Sequence, residues 1–180
     1  MQMAREEVLR IEHLNFTYPE KEKKALSDIN ITVNEGDFVL LFGYSGSGKT
    51  TLLRQLKPML APFGKKNGQI YWCGKELGSL SERKLVSEIG FVLQDPQAQI
   101  VTHSVKRELM FGLENLGVPE EEMMRRIAEM VTFFGISDWY HKETSTLSGG
   151  QKQILNLASV LVMNPKLLIL DEPTSQLDPV

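Results

Sequence analysis

A glycine-rich loop is the feature that most constrains the fold of this chain. It reads G-Y-S-G-S-G-K-T from Gly43 to Thr50 and fits the pattern G-x-x-x-x-G-K-[ST]. An apolar run, Phe38 to Phe42, precedes the loop, and a helix-like segment, Thr50 to Met59, follows it. Glycines let successive backbone N–H groups curl around a phosphate, and the N terminus of the next helix favours negative charge. The loop therefore predicts a phosphate site between a buried central strand and a helix.

Strand-like and helix-like segments alternate along the rest of the chain. The strand candidates are residues 8–18, 29–33, 38–42, 69–72, 89–93 and 167–170. The helix candidates are residues 50–59, residues 104–114, the segment after Pro119 and the segment that opens at Ser148. Residues 38–42 and 167–170 are apolar throughout, as expected of strands that are covered on both faces. This order favours an α/β domain with a largely parallel core sheet.

The composition excludes several classes of protein. A chain of 180 residues is long enough for one domain with its own core. Its 20 Lys and Arg and 23 Asp and Glu give a net charge of −3, so nothing electrostatic points to nucleic acid. The single cysteine, Cys73, cannot form an internal disulfide. No stretch approaches the roughly 18 apolar residues of a membrane span, and the acidic N terminus does not suit a signal peptide, so we expect a cytosolic chain.

A second motif, L-L-I-L-D-E, ends an apolar strand with two carboxylates. Asp171 and Glu172 would lie at the C-terminal edge of the sheet, where ligands bind in open α/β folds. Asp171 is suited to hold Mg²⁺ through water, and Glu172 to polarise an attacking water. Such an ending is common by itself, and the alternative for Glu172 is an ordinary surface carboxylate. Combined with Lys49, which reaches outer phosphates, and with the Thr50 hydroxyl, the motif predicts a nucleotide site.

A third motif, L-S-G-G-Q from Leu147 to Gln151, forms another helix N terminus. Ser148 followed three residues later by Gln151 is a capping-box pattern. Two glycines, a hydroxyl and free N–H groups offer a second surface for phosphate. One nucleotide in one domain does not need two such surfaces. The motif therefore indicates either two sites or a surface that serves a neighbouring subunit.

The ordered set of motifs resembles that of the ATP-binding cassette (ABC) ATPases. It consists of the glycine-rich loop, Gln94, L-S-G-G-Q, L-L-I-L-D-E and S-Q-L-D, and it covers essentially the whole chain. The resemblance implies a P-loop NTPase fold of the ABC type, in which helices flank a mainly parallel core sheet and an N-terminal antiparallel β subdomain and a helical subdomain are added. We expect residues 1–95 and 160–180 to form the nucleotide-binding core with the β subdomain, and residues 96–159 the helical subdomain.

The resemblance also implies roles for individual residues. Two such domains would pack head to tail, with ATP held between the phosphate loop of one subunit and the signature motif of the other. Tyr18 would stack on adenine, and Glu172 would be the catalytic base. The other nucleotide contacts would be Gly43, Tyr44, Ser45, Gly46, Ser47, Gly48, Lys49, Thr50 and Thr51. The contacts in trans would be Ser148, Gly149, Gly150 and Gln151. The Mg²⁺ ligands would be Thr50, Gln94 and Asp171. Ser175 and Asp178 would belong to a loop that communicates across the dimer.

A narrower resemblance is to the ATPase subunits of energy-coupling-factor and cobalt-type transporters. It rests on F-T-Y-P (Phe16–Pro19), Q-D-P-Q-A-Q (Gln94–Gln99) and F-G-L-E-N-L-G-V-P (Phe111–Pro119). It implies a cytoplasmic subunit, peripheral on the inner face of the membrane, that hydrolyses ATP to power import of a vitamin or a transition-metal ion. Its partners would be a second ABC ATPase subunit, a transmembrane coupling protein and a membrane substrate-binding component, with no nucleic acid.

Three departures from the family pattern stand out. Ile154 occupies a position where the signature helix usually carries Arg, and the bulky Tyr44 lies in the phosphate loop, where its side chain is expected to point outward. The chain also stops at Val180, before the switch histidine of the family and before a strand that inserts between the phosphate-loop strand and the strand that ends at Asp171. We therefore expect a fragment of a longer ATPase, with little steady-state turnover by itself.

Two other functions remain open from the sequence. One is a soluble ABC ATPase of translation or DNA maintenance, although no coiled-coil insertion separates Gln94 from Ser148. The other is a module that senses nucleotide without hydrolysing it. The presence of Lys49, Asp171 and Glu172 together argues against that second function.

Overall fold

The computed structural model describes residues 5–173. The chain forms two compact units, one that ends at Ser81 and one that begins at Glu82. This division does not decide the subdomain boundaries expected near residues 95 and 160, which stay a prediction.

The first unit is built on a four-stranded antiparallel sheet. Its strands are β1 (Glu7–Thr17), β2 (Leu26–Asn34), β3 (Lys65–Trp72) and β4 (Lys75–Glu76), in the order β2-β1-β3-β4. Buried side chains alternate along β1, first at Leu9 and Ile11 and then at Leu14 and Phe16. The register shifts between these pairs at a bulge, where His13 has a φ of 49°. The predicted N-terminal β subdomain is therefore present.

Helix α1 (Lys49–Gln55) follows the glycine-rich loop in the same unit. It is shorter than the predicted span of residues 50–59. Pro58 has no N–H group to continue the helix, and a 3₁₀ turn takes over from Pro58 to Leu60. One face of α1 is buried through Thr51, Leu52 and Gln55, and this burial fixes the start of the helix beside the loop.

The prediction of a buried central strand at residues 38–42 is wrong for the described part of the chain. These residues form no strand, and Phe38, Leu40 and Phe42 are 92%, 72% and 89% exposed. An extended segment becomes a strand only when a neighbour pairs with its backbone N–H and C=O groups. Within residues 5–173 no strand pairs with this segment. Its apolar side chains therefore form a surface that the described residues leave uncovered.

The second unit contains a pair of parallel strands. Strand β5 (Ile89–Val92) pairs with β6 (Leu167–Leu170) from Ile89–Leu167 to Val92–Leu170. All four residues of β5 are buried, but in β6 only Ile169 is, and Leu170 is 38% exposed. The expectation that residues 167–170 are buried on both faces is therefore wrong in part, because one edge of β6 has no neighbouring strand among residues 5–173.

Helices make up most of the second unit. They are α2 (Glu82–Glu88), α3 (Pro96–Gln99), α4 (Val105–Asn115), α5 (Glu120–Phe133) and α6 (Gly149–Leu161). Helices α4, α5 and α6 share one apolar core, whose central members are Leu109, Leu113, Ile127, Leu155 and Ala158. Ile154 packs against this core, so the residue that replaces the usual Arg joins the helical packing. An antiparallel sheet, a parallel strand pair and a helical cluster together give the predicted α/β architecture.

Candidate functional site

The glycine-rich loop is closed by the side chain of Lys49. The Nζ group donates hydrogen bonds to the carbonyl oxygens of Gly43 at 2.9 Å and Tyr44 at 3.1 Å. The Ser47 N–H also donates to the Tyr44 carbonyl, at 3.2 Å. A positive charge is thereby held against a tight turn at the start of α1, which is the arrangement that attracts a phosphate.

Gly48 occupies a position at which only glycine fits. Its φ is +97°, and a Cβ atom there would lie 2.6 Å from the carbonyl oxygen of Ala25. Gly46 also has a positive φ, +77°, but a Cβ atom there would meet nothing within 4 Å. The backbone conformation of the loop thus favours glycine at both positions. At Gly48 the lack of a side chain also avoids a clash with the Ala25 carbonyl.

The remaining loop residues point largely to solvent. Ser45, Gly46 and Ser47 are exposed, and Tyr44 is 92% exposed, so its side chain points outward as expected. Thr50 is half-buried and Thr51 is buried. The part of the loop that can meet a ligand therefore lies in the turn itself and at Lys49.

Tyr18 is fastened to the first turn of α1. Its Oη lies 2.9 Å from Thr51 Oγ1, within hydrogen-bond distance. Its ring meets Phe16 edge to face, with the centroids 4.9 Å apart, and remains 37% exposed. The structure thus brings the predicted adenine-stacking residue beside the predicted phosphate loop, within the first unit.

Gln94 and Glu172 meet in the second unit although 78 residues separate them. Gln94 Nε2 donates a hydrogen bond to Glu172 Oε2 at 2.7 Å. The contact arises because β5 and β6 run parallel, so their C-terminal ends, Val92 and Leu170, lie at one edge of the sheet. The amide and the carboxylate that the sequence assigned to one site are therefore in direct contact.

Asp171 and Glu172 differ sharply in their surroundings. Asp171 is 2% exposed, and its backbone N–H donates to the carbonyl of Val92 at 3.0 Å. Glu172 is exposed and has a φ of 49°. A non-glycine residue in this left-handed region costs roughly 1–3 kcal/mol, and such strain clusters at functional sites. The backbone here turns sharply so that one carboxylate stays buried and the next is presented outward.

The signature motif caps α6 in the predicted way. The Gln151 N–H donates to Ser148 Oγ at 3.3 Å, and the Ser148 N–H donates to Gln151 Oε1 at 3.0 Å. Ser148 and Gly149 are exposed, and Gly150 is half-buried. The capping box is confirmed, and it leaves the helix N terminus accessible to an anion.

Several of the predicted residues are not brought together by the described part of the chain. Ser175 and Asp178 lie outside the described residues. Thr50 belongs to the first unit, whereas Gln94 and Asp171 belong to the second, so their joint role as Mg²⁺ ligands stays a prediction. Among residues 5–173 no group of three or more His, Cys, Asp or Glu side chains could hold a metal. The predicted set has one carboxylate, which suits a Mg²⁺ ion whose other ligands are phosphate oxygens and water.

Residues 93–100, which follow β5 and include Gln94, are called the Gln94 loop. Sequence reasoning missed two residues that hold this loop. Gln99 Oε1 accepts the Leu93 N–H at 2.8 Å, and Asn156 Nδ2 donates to the carbonyl of Pro96 at 3.0 Å. Asn156 is fully buried on α6. A polar amide between apolar neighbours in an otherwise apolar stretch of helix is the signal that could have revealed it.

The described helices also bear on the relation to a membrane. Within residues 5–173, none combines the length and the apolar character required to cross a bilayer.

Comparison with known proteins identifies the family. A family model described as ABC transporter matches residues 26–175. The chain belongs to the ABC transporter family. Relatives from Bacillus cereus, Bacillus anthracis and Bacillus thuringiensis are 50%, 49% and 48% identical over 170 residues. These residues make up 94% of this chain but only 31% of each relative.

Three further similarities narrow the assignment within the ABC transporter family. The energy-coupling factor transporter ATP-binding protein EcfA1 of Lacticaseibacillus paracasei is 39% identical over 96% of this chain and 61% of that protein. The solved cbiO1 of Clostridium perfringens, described as part of the ABC transporter complex cbiONQ, has a TM-score of 0.81 and 36% identity, covering 97% of this chain and 68% of that one.

The third similarity is to the ATP-binding cassette MJ0796, solved as a dimer in a post-hydrolysis state bound to ADP and Pi. Its TM-score is 0.79 and its identity 27%, covering 94% of this chain and 76% of that one. Together these similarities confirm the P-loop NTPase fold of the ABC type and the resemblance to energy-coupling-factor ATPases.

Proposed function

We propose that the full-length protein containing this chain binds and hydrolyses ATP with Mg²⁺ to power an energy-coupling-factor-type importer. The proposal is supported by the family and by the similarity to EcfA1 and cbiO1. It is also supported by the geometry of the glycine-rich loop and of the Gln94–Glu172 contact. In such systems another chain determines which substrate is transported. The substrate class that we propose is a vitamin or a transition-metal ion.

The predicted nucleotide-binding residues of the first unit have distinct roles in binding. The turn from Gly43 to Gly48 presents backbone N–H groups to the phosphates, and Lys49 exchanges its two carbonyl contacts for phosphate oxygens. Tyr18 offers its partly exposed ring to the adenine. These contacts bind and orient the nucleotide before any bond is broken.

Most of the groups proposed for hydrolysis belong to the second unit, and Thr50 belongs to the first. Asp171, with Thr50 and Gln94, would hold Mg²⁺, which neutralises charge on the outer phosphate oxygens when it is bound. Glu172 would orient the attacking water and accept its proton. The hydrogen bond from Gln94 to Glu172 is the observation that carries the proposal, because it holds the proposed base in a defined position.

Substitution of Glu172 tests the hydrolytic part of the proposal. We expect Glu172→Gln in the full-length protein to abolish phosphate release while ATP binding stays within about twofold, because the amide fills the same space and cannot accept the proton. Glu120→Gln is the matched control, since Glu120 is an exposed carboxylate at the start of α5. Turnover by Glu172→Gln equal to that of the control would remove Glu172 from the role of base.

The proposed partner surface lies beside the Gln94 loop. Val101 is 63% exposed and Phe111, on α4, is 45% exposed. Both line a depression of about 380 Å³. By resemblance to the energy-coupling-factor ATPases, we expect helices that engage the membrane coupling protein in this part of the chain. These exposed apolar side chains follow Gln94 in the chain, and Gln94 contacts the proposed catalytic carboxylate, so the surface suits a partner whose movement must reach that site.

Charged substitutions test this surface directly. We expect Phe111→Asp and Val101→Asp to reduce recovery of membrane partners with the full-length protein, solubilised from its own cells in mild detergent and analysed by mass spectrometry. Met124→Asp is the control, because Met124 is 40% exposed on α5. A membrane coupling protein recovered with the wild type and with Met124→Asp supports the proposal. Recovery of ribosomes or DNA-repair proteins instead would favour the soluble ABC alternative.

The second ABC subunit is proposed to complete the nucleotide site. The N terminus of α6 would contact the nucleotide bound by the partner subunit through the exposed Ser148 and Gly149 and the half-buried Gly150 and Gln151. Peripheral attachment to the inner face of the membrane would then follow from binding to the coupling protein. Dimer formation that requires ATP, measured by light scattering of the Glu172→Gln protein, is the expected result.

A further inference from the structure

Asn156 is a polar residue in the interior of an otherwise apolar part of α6. Its side chain is fully buried, and its Nδ2 donates to the carbonyl of Pro96 at 3.0 Å, across 60 residues of sequence. Its neighbours on the helix, Leu155 and Ala158, are also fully buried in the helical core. A buried amide that lacks a partner is costly, so the bond to Pro96 ties the position of the loop to the position of the helix.

The loop that Asn156 holds is the one that carries Gln94. Gln99 fastens the loop from within, since its side chain accepts the Leu93 N–H at 2.8 Å and donates to the Phe91 carbonyl at 3.1 Å. Asp95 accepts the Gln97 N–H at 2.9 Å and so starts α3. These bonds join residues of one segment to each other. The bond from Asn156 is different because its donor belongs to α6.

The loop also contacts Glu172, the exposed carboxylate that follows β6. Pro96 lies two residues after Gln94, a distance of at most about 7 Å along an extended chain. Gln94 in turn donates to Glu172 at 2.7 Å. Asn156 lies eight residues after Ser148, about 12 Å along a single capped helix. One helix therefore carries the signature motif at its start and the anchor of the Gln94 loop at its middle.

We propose that Asn156 is a positioning residue that couples the signature helix to the Gln94–Glu172 pair. A displacement of α6 moves the Nδ2 donor, and the Pro96 carbonyl and Gln94 move with it. Contact between Ser148–Gln151 and a nucleotide on the partner subunit thus changes the placement of Glu172 in this subunit. The catalytic part of this inference rests on the proposed function, whereas the anchoring of the loop does not.

The anchoring is tested by hydrogen–deuterium exchange of the full-length protein, read on residues 93–100. Asn156→Leu and Asn156→Ala both remove the donor, but only Ala leaves a cavity. We expect both variants to raise amide exchange in this segment by about tenfold, the effect of losing one buried hydrogen bond. Ser159→Ala is the control, because the hydrogen bond of Ser159 Oγ to the Asn156 carbonyl stays within α6. Unchanged exchange in both variants, or an increase in Asn156→Ala alone, would overturn the inference.

The coupling to Glu172 is tested by kinetics of the same variants. We expect Asn156→Leu to lower kcat for ATP about tenfold with KM within twofold, and to have no further effect in a Gln94→Ala background. Equal losses in both backgrounds would mean that Asn156 acts on stability alone and would overturn the coupling. If the wild type itself does not hydrolyse ATP, the proposed function fails, and the exchange measurement still decides whether Asn156 holds the loop.

Discussion

The hydroxyl of Tyr18 lies 2.9 Å from Thr51 Oγ1 and joins the end of β1 to the first turn of α1. Thr51 is buried, so this contact is shielded from water on one side. The ring of Tyr18 is also supported edge to face by Phe16. Two contacts therefore hold the ring in place before any ligand arrives, and a ligand that stacks on it does not have to immobilise it.

Two substitutions of Tyr18 separate this preorganisation from stacking. We expect Tyr18→Phe to weaken ATP binding about threefold, because the ring remains and the hydrogen bond is lost. We expect Tyr18→Ala to weaken it tenfold or more, because the stacking surface is also removed. Isothermal titration calorimetry with the full-length Glu172→Gln protein measures both effects. Tyr71→Phe is the control, since the Tyr71 hydroxyl bonds to Gln69 of its own strand. Equal losses for the Tyr18→Phe and Tyr18→Ala proteins would contradict the stacking role.

A substitution at Gly48 tests the steric argument for the glycine-rich loop. We expect Gly48→Ala to reduce ATP binding more than tenfold, because its Cβ would lie 2.6 Å from the Ala25 carbonyl and the loop would have to shift. Gly36→Ala is the matched control, since Gly36 has a φ of +78° and a Cβ there meets nothing within 4 Å. The control carries the cost of the left-handed backbone alone, roughly 1–2 kcal/mol of stability, and should bind ATP normally. Similar binding by both variants would contradict the close approach at Gly48.

Local features of the fold were predictable because their causes lie within a few residues. The capping box needs only Ser148 and Gln151, and the sharp loop needs only its glycines at positive φ. The alternation of buried residues in β1 likewise follows from the strand period of two. The exposed segment at residues 38–42 has an equally clear local pattern, but a strand also requires a paired neighbour, and within residues 5–173 this segment has none.

Long-range contacts of the candidate site could not be predicted from local pattern. The sequence names Glu172 through the L-L-I-L-D-E motif and Gln94 through a family resemblance, but it gives no distance between them. Their contact depends on the parallel register of β5 and β6, which is set by the packing of both strands. Asn156 is a stronger case, because it belongs to no motif and only the packing of α6 brings its side chain to Pro96.

Lys57 gives the protein a pH dependence that can be measured. Its side chain is 8% exposed, and burial lowers its pKa from 10.5 to about 8. In the unfolded chain the amine keeps its ordinary pKa, so between pH 8 and about 10 the unfolded state binds more protons than the folded state. The contribution of Lys57 to the free energy of unfolding therefore rises with pH across this window. Below pH 8 the cost of burying the charge is fully present.

Replacement of Lys57 by Met keeps the apolar stem and removes the charge. We expect Lys57→Met to raise the free energy of unfolding at pH 7 by on the order of 1–2 kcal/mol, because folding no longer buries a charged amine. The gain should shrink as the pH rises from 8 to 10, since the wild-type amine then becomes neutral in the folded state. Urea unfolding of the full-length protein at several pH values measures both effects. Lys75→Met, at an exposed position of β4, controls for the change in net charge, and a gain that is the same at pH 7 and pH 10 would contradict the burial of Lys57.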